Sequence, residues 1–290
     1  MMVESPERKP NAAEPDEFTL HALAYHWDEF EPHLMCYDLS EHEEVEFDLE
    51  EVDFSVSSDR TCIGSWDGEG LYRECPKHAS VTKFSQCQEC SKEFFVPDQE
   101  CLFEPKCDGT KCLVQDRSWE FCRREHVVYV AFYDTRMKIG MSSSRRIDER
   151  LIEQGADAYS IIGAFPNRIS ARTAEKDISE RLRIPQFYRQ EVLLRNLSRP
   201  LDTKGIEGRL EALRITLKGR FELEPEPLQW LIRYPIEQPL QQTPALRPSV
   251  GRHRGRYVGI KGKWMIFESD RLEAINLSDL PARFLARHVA

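Results

Sequence analysis

Between Phe18 and about Leu71 hydrophobic and polar residues alternate, as in Glu46-Phe47-Asp48-Leu49 and Val52-Asp53-Phe54-Ser55-Val56. A period of two puts one side of an extended chain on a core and the other in water, so short strands with one wet face are expected. Residues 72–126 lose that rhythm and are rich in Cys and Lys. The pattern then becomes mixed. Val127–Phe132 is a β-rich run, Asp134-Thr135-Arg136 a turn, and Met137-Lys138-Ile139-Gly140 a returning strand. Ile147, Leu151 and Ile152 form a helical stripe that Ser143 or Ser144 can cap and Gly155 can stop. Tyr159–Phe165 is a third strand. Ser170 is expected to cap a second helix whose Ala171, Ala174, Ile178 and Leu182 share a face, before Pro185 ends it. Helical stretches at about 186–197 and 205–218 precede a Pro-rich loop from Glu224 to Pro248. Arg256–Phe267 reads as a tight hairpin with glycines at its bends.

The expected organisation is a flexible tail (1–18), an acidic β-rich segment (19–71), a Cys-rich module (72–126), an α/β domain with added helices (127–220), a Pro-rich linker (221–249) and a basic β-hairpin segment (250–290). The fold class is α+β. At 290 residues the chain has room for about two domains of roughly 150 residues each. With 40% hydrophobic and 31% charged residues it fits neither collagen, a disordered tail nor a coiled coil. No apolar run nears the roughly 18 residues of a membrane helix, and no membrane association is expected. The opening stretch to Phe18 carries no apolar core of the kind a secretory leader has, so the cytoplasm is the expected compartment.

Charge is unevenly spread. The first 60 residues hold 18 acidic and 3 basic side chains, which leaves 32 acidic and 37 basic over the rest. The acidic front is a solvated segment, a counter-surface within the chain, or a grip for a basic protein partner. From Gln238 to Phe267 there is no acidic residue. Arg247, Arg252, Arg254, Arg256, Lys261 and Lys263 are interleaved there with His253, Tyr257 and Trp264. Cations neutralise phosphates and aromatics offer stacking faces, so this run suits DNA or RNA. A second basic cluster, Arg117, Arg123, Arg124, Arg136, Lys138, Arg145, Arg146 and Arg150, surrounds the hairpin.

Seven of the nine cysteines fall between Cys75 and Cys122. In a reducing compartment such clustering points to metal rather than disulfides. Cys75-Pro76-Lys77-His78 and Cys87-Gln88-Glu89-Cys90 have the two-residue spacing that turns paired ligands onto one tetrahedral ion. Cys101, Cys107, Cys112 and Cys122 make a second set of four, with His126 as a replacement ligand. One or two structural zinc ions are expected, because thiolates with at most one imidazole favour zinc over harder cations. Interleaved pairing and an iron–sulfur cluster stay open. Cys36 and Cys62 are read as packing residues.

Val127-Val128-Tyr129, followed by Lys138-Ile139-Gly140, a helix with Arg150 and a helix with Glu175, resembles the GIY-YIG nuclease superfamily over roughly residues 126–180, in its K-I-G form. The whole chain also resembles a prokaryotic family of unknown function with a cysteine-rich front, on Cys75-Pro76-Lys77-His78, Pro97-Asp98-Gln99, Lys138–Met141, Ile152–Ala158 and Gly259-Ile260-Lys261-Gly262. The nuclease resemblance implies that Tyr129 helps activate water, that Arg150 faces the scissile phosphate, and that Glu175 holds Mg2+ or Mn2+. Lys138 stands where the superfamily has a second tyrosine, and activates water once burial lowers its pKa. Val127-Val128 replace Gly-Ile, and Asn196 is the residue nearest to the superfamily's late asparagine. The expected function is nucleic-acid binding with metal-dependent endonuclease chemistry at Tyr129, Lys138, Arg150 and Glu175. The alternatives are a non-catalytic RNA- or DNA-binding module and a protein-interaction adaptor.

Overall fold

The structure, a computed structural model, describes residues 17–93 and 122–288. Its first sheet is built from both ends of the chain. Strands β1 (Leu20–Asp28), β2 (Glu31–Asp38), β3 (Glu43–Glu46) and β4 (Asp53–Arg60) come from the acidic segment. The ribbon β5 (Ser65–Trp66) and β6 (Tyr72–Arg73) leads toward the cysteines, which continue into the single turn α1 (Cys90–Glu93). From the C-terminal segment, β12 (Gly251–Arg254) and β16 (Arg283–Arg287) complete the order β12-β4-β16-β1-β2-β3. Leu285 of β16 stands opposite both Val56 and Leu20. Strands from the segments expected at 19–71 and 250–290 therefore share this sheet.

The second sheet holds the hairpin: β7 (His126–Tyr133), β8 (Arg136–Ser143), β9 (Ala158–Phe165) and β10 (Gln229–Trp230) in the order β10-β9-β7-β8. Every residue of β7 is buried. Tyr129, Ala131 and Tyr133 enter one core together with Trp27, Phe54, Leu151, Phe267 and Leu285. Val128, Val130 and Phe132 enter another with Ala171, Ile178, Ile206 and Leu217. A strand covered on both faces must be apolar at every position, which is why this run shows no alternation.

Helix α2 (Ile147–Glu153) buries Ile147, Leu151 and Ile152 as expected, and α3 (Arg168–Leu182) covers β7 and β8. Two of the expected caps differ. Asn167, not Ser170, caps α3, its side chain accepting from Ser170 N at 2.9 Å. Ser143 precedes a 3-10 turn (Ser144–Arg146) without a side-chain cap bond. Helices α4 (Gln190–Asn196) and α5 (Thr203–Phe221) follow. The third sheet sets β11 (Ala245–Leu246), β15 (Leu272–Asn276), β14 (Trp264–Glu268) and β13 (Arg256–Lys261) side by side. Gly262, at φ 57°, makes the β13–β14 bend. No helix among the described residues is long and apolar enough to cross a membrane.

Candidate metal centre and hairpin cluster

The end of β4 and the 75–90 loop are zipped together. Cys62 N donates to Ala79 O at 2.8 Å, and Ile63 N donates to Ser85 O at 2.9 Å. This brings Cys62 into contact with the cysteine-rich loop. The sulfurs of Cys62, Cys75, Cys87 and Cys90 all lie within 4.8 Å of one another, and Cys75 Sγ is 4.0 Å from Cys87 Sγ. A tetrahedral ion with metal–sulfur bonds of about 2.3 Å needs sulfur–sulfur edges of about 3.8 Å, so the cage could hold a metal such as zinc. All four are free cysteines. Cys87 N donates to Cys62 Sγ at 3.1 Å and Cys90 N to Cys87 Sγ at 3.5 Å. Burial works against ionising Cys87, but the Cys90 backbone and the Cys90 and Cys62 thiols win and bring its pKa to about 7. Burial, then the neighbouring thiols, push Cys90 up.

Two ligand assignments are thereby corrected. His78 is exposed at φ 43°, and its backbone closes a tight turn onto Cys75 O at 3.0 Å. It is not part of the four-sulfur group, and Cys62, read as a packing residue, takes its place. Lone in sequence, with its partners supplied by a strand end, Cys62 offered no C-x2-C signal. Cys36 is a packing residue, with no exposed surface. Of the second set, Cys101, Cys107 and Cys112 lie outside the described residues, and Cys122 is buried. His126 opens β7, with Nδ1 on Arg124 O at 2.8 Å.

Tyr129, Lys138, Arg150 and Glu175 lie close enough to feel one another's charge, since Arg150 and Glu175 each act on both Tyr129 and Lys138, beside the edge strand β8. Tyr129 stands opposite Gly140 in the ladder, and its ring lies across that residue. A Cβ on Gly140 would fall 2.5 Å from the Tyr129 hydroxyl. This is a physical reason for glycine in Lys138-Ile139-Gly140. Burial raises the Tyr129 pKa, with the nearby Arg150 and Gln154 opposing and Glu175 reinforcing. Burial brings Lys138 down to about 8, helped by Arg150 and opposed by Glu175. Gln154 Oε1 accepts from Lys138 Nζ and, at 3.3 Å, from the Tyr133 hydroxyl. Gln154 was part of the Ile152–Ala158 run but carried no role there. Glu175 is buried and receives Arg172 Nη1. Asn196 donates to Tyr133 O at 3.0 Å, one strand end away from the four.

The C-terminal basic run is placed differently from its sequence reading. Trp264 is buried at 3% exposure and offers no stacking face. Lys261 is buried in an ion pair with Asp157. Arg252 and Arg254 both face Asp53, at 2.9 and 3.5 Å, and Arg256 pairs with Glu268. Lys263 is half-buried and lies over the Trp264 ring at 5.1 Å. Asp53 meets Arg252 and Arg254 because β12 pairs with β4, whereas Glu268 stands opposite Arg256 on the β13–β14 hairpin. On the hairpin side, Arg146 is engaged by Glu149 and Glu153, whereas Arg145 and Arg150 are exposed.

These features define an α+β protein with a four-cysteine cage and a polar cluster beside the edge strand of a helix-backed hairpin sheet. The chain belongs to the family described as protein of unknown function (DUF2797), whose model matches residues 50–281, a span that holds both sites. No curated protein and no solved structure matches the chain.

Proposed function

We propose that this protein binds nucleic acid beside the β7–β8 hairpin and cleaves a phosphodiester there with a divalent cation. The convergence of Tyr129, Lys138, Arg150 and Glu175 at one sheet edge carries the reading, in line with the resemblance to GIY-YIG nucleases. Phosphodiester cleavage places charge on the phosphate oxygens, and a preorganised guanidinium offsets it. Arg150 supplies that group. Lys138, with its pKa at about 8, has a substantial neutral fraction near physiological pH and can take a proton from water. Glu175 is a carboxylate suited to Mg2+ or Mn2+, which when bound supplies further charge neutralisation at the phosphate. The thiolate cage is proposed to hold zinc in a closed, structural site, in a protein of the reducing cytoplasm.

The test is nicking of DNA and of RNA in Mg2+ or Mn2+. Loss in both Arg150→Ala and Glu175→Ala is expected, and cleavage surviving either change removes this site. One observation favours a second reading. Glu175 is already engaged by Arg172, and a buried carboxylate committed to a guanidinium describes a binding module without chemistry. That reading expects salt-sensitive binding without cleavage.

A further inference from the structure

The segment that follows α3 returns to the edge of β8 and is strapped to it. Ile139 N donates to Pro185 O at 3.0 Å, and the Tyr188 hydroxyl donates to Met137 O at 2.8 Å. These bonds flank Lys138 on the strand, and on the strap they flank Gln186 and Phe187. A third tie comes from the cluster itself, where Arg172 Nη1, the partner of Glu175, reaches Gln186 Oε1 at 3.3 Å. In the middle of this anchored strap Phe187 is 78% exposed, the most exposed large hydrophobic side chain among the described residues.

A single exposed apolar residue is ordinary. What distinguishes Phe187 is that the chain is anchored on both sides of it, by the Pro185 carbonyl and the Tyr188 hydroxyl, while its ring stands exposed. Arginines lie on both sides of it in the chain and around its neighbour. Arg183 and Arg189 are exposed, and Arg136 and Arg209 lie near enough to Tyr188 to act on its phenol. A rigid aromatic ring among guanidinium groups is the pairing that engages a nucleobase and its phosphates together, because every base has a π-face and the cations track the backbone.

We propose that Phe187 is a stacking platform for an unpaired nucleobase, so that the nucleic acid engaged beside Lys138 and Glu175 is single-stranded at that point. The proposal rests on the nucleic-acid reading above and names the substrate form. Duplex bases are stacked on each other and present no free face. Unpaired ends, loops and bulges do.

Fluorescence anisotropy with a labelled mixed-sequence single strand and with its duplex, without added divalent cation, separates the cases. The wild type is expected to prefer the single strand. Phe187→Ala is expected to weaken single-strand binding by roughly 5- to 150-fold, the range for one lost stack, and to leave duplex binding little changed. Phe187→Trp is expected to keep the affinity. A wild type that binds both probes, with Phe187→Ala equal to it on the single strand, overturns the stacking role and leaves the nucleic-acid reading standing. A wild type that retains neither probe overturns both, and Phe187 then marks a protein contact.

Discussion

Lys261 and Asp157 form an ion pair whose side chains are 8% and 7% exposed, between β13 and the entry to β9. Asp157 also accepts Asp134 N at 2.6 Å, and Lys261 reaches Gln238 at 3.3 Å and the Tyr234 ring at 5.3 Å. Beside the pair two backbones touch. A Cβ on Gly262 would lie 2.4 Å from Gly155 N. The runs Ile152–Ala158 and Gly259–Gly262 are thus two halves of one joint between the hairpin sheet and the third sheet. Breaking a buried pair from one side leaves a charge without compensation. Lys261→Met is expected to cost about 3–5 kcal/mol in urea unfolding, and adding Asp157→Asn to recover most of that. Equal losses in the single and double variants would deny the coupling.

The thiolate cage gives a prediction that sets two residues against each other. Cys62→Ala should remove one equivalent of bound metal and lower stability, because three thiolates leave an open coordination position. His78→Ala should retain the full metal content, since His78 stands outside the sulfur group. Metal analysis of the two purified variants decides the matter. Equal retention in both would return Cys62 to the packing residues.

Legibility followed the range of the interaction. The β7–β8 hairpin, the α2 stripe and the last bend at Gly262 rest on contacts within a few residues, and the pattern of the chain carried them. The joining of β12 and β16 to β4 and β1 rests on pairings across the whole chain, which no local period encodes. The same distance left the basic run open between a polyanion and the acidic front, and only the pairing of β12 with β4 names Asp53, 199 residues from Arg252, as the partner. Cys62 was missed for a related reason, because its three partners begin 13 residues later, beyond any knuckle spacing. Tyr129, Lys138, Arg150 and Glu175 came from a resemblance, and periodicity alone would have left Tyr129 as a strand residue. Phe187 gave no signal, since only the strap onto β8 distinguishes it.

Gly140 is expected to tolerate no side chain while Tyr129 keeps its ring. An alanine Cβ would meet the Tyr129 hydroxyl at 2.5 Å, Cζ at 2.6 Å and Cε2 at 2.9 Å. These atoms belong to a buried, close-packed ring, so Gly140→Ala should destabilise by about 1–3 kcal/mol. Removing only the hydroxyl with Tyr129→Phe leaves the ring carbons in place and should not relieve the cost. In a Tyr129→Ala background the same glycine change should cost far less. A double-mutant cycle by chemical denaturation measures the difference.

His253 has no exposed surface, and packs between Phe54 at 5.3 Å and Phe267 at 6.0 Å, with Nε2 on Ser249 O at 2.9 Å. Burial lowers its pKa below 6.5, aided by Arg247 and opposed by the Ser249 bond. The unfolded chain therefore binds a proton near pH 6.5 that the native state refuses. Stability must fall as pH drops below that value, by at most about 1.4 kcal/mol per pH unit from this one group. His253→Phe should flatten the acid limb of a pH–stability curve relative to wild type. An unchanged limb would place the proton uptake elsewhere.

Lys138 allows the chemistry to be read from the direction of a pH profile. Burial brings its pKa to about 8, so its two protonation states exchange within an accessible range. If Lys138 takes the proton from water, only the neutral amine works, and cleavage should rise with pH and level off above about 8. If it serves as a fixed cation for the phosphate, cleavage should fall through the same interval. The proton-acceptor role is the expected one, because Arg150 already brings a permanent charge to the cluster and itself disfavours a second. Lys138→Arg then preserves charge and approximate reach but removes the base, and should abolish cleavage by at least about 100-fold while leaving oligonucleotide binding nearly intact. Full activity in Lys138→Arg, with a profile flat across pH 7–9, would exclude proton abstraction by this residue and reduce Lys138 to a structural partner of Gln154.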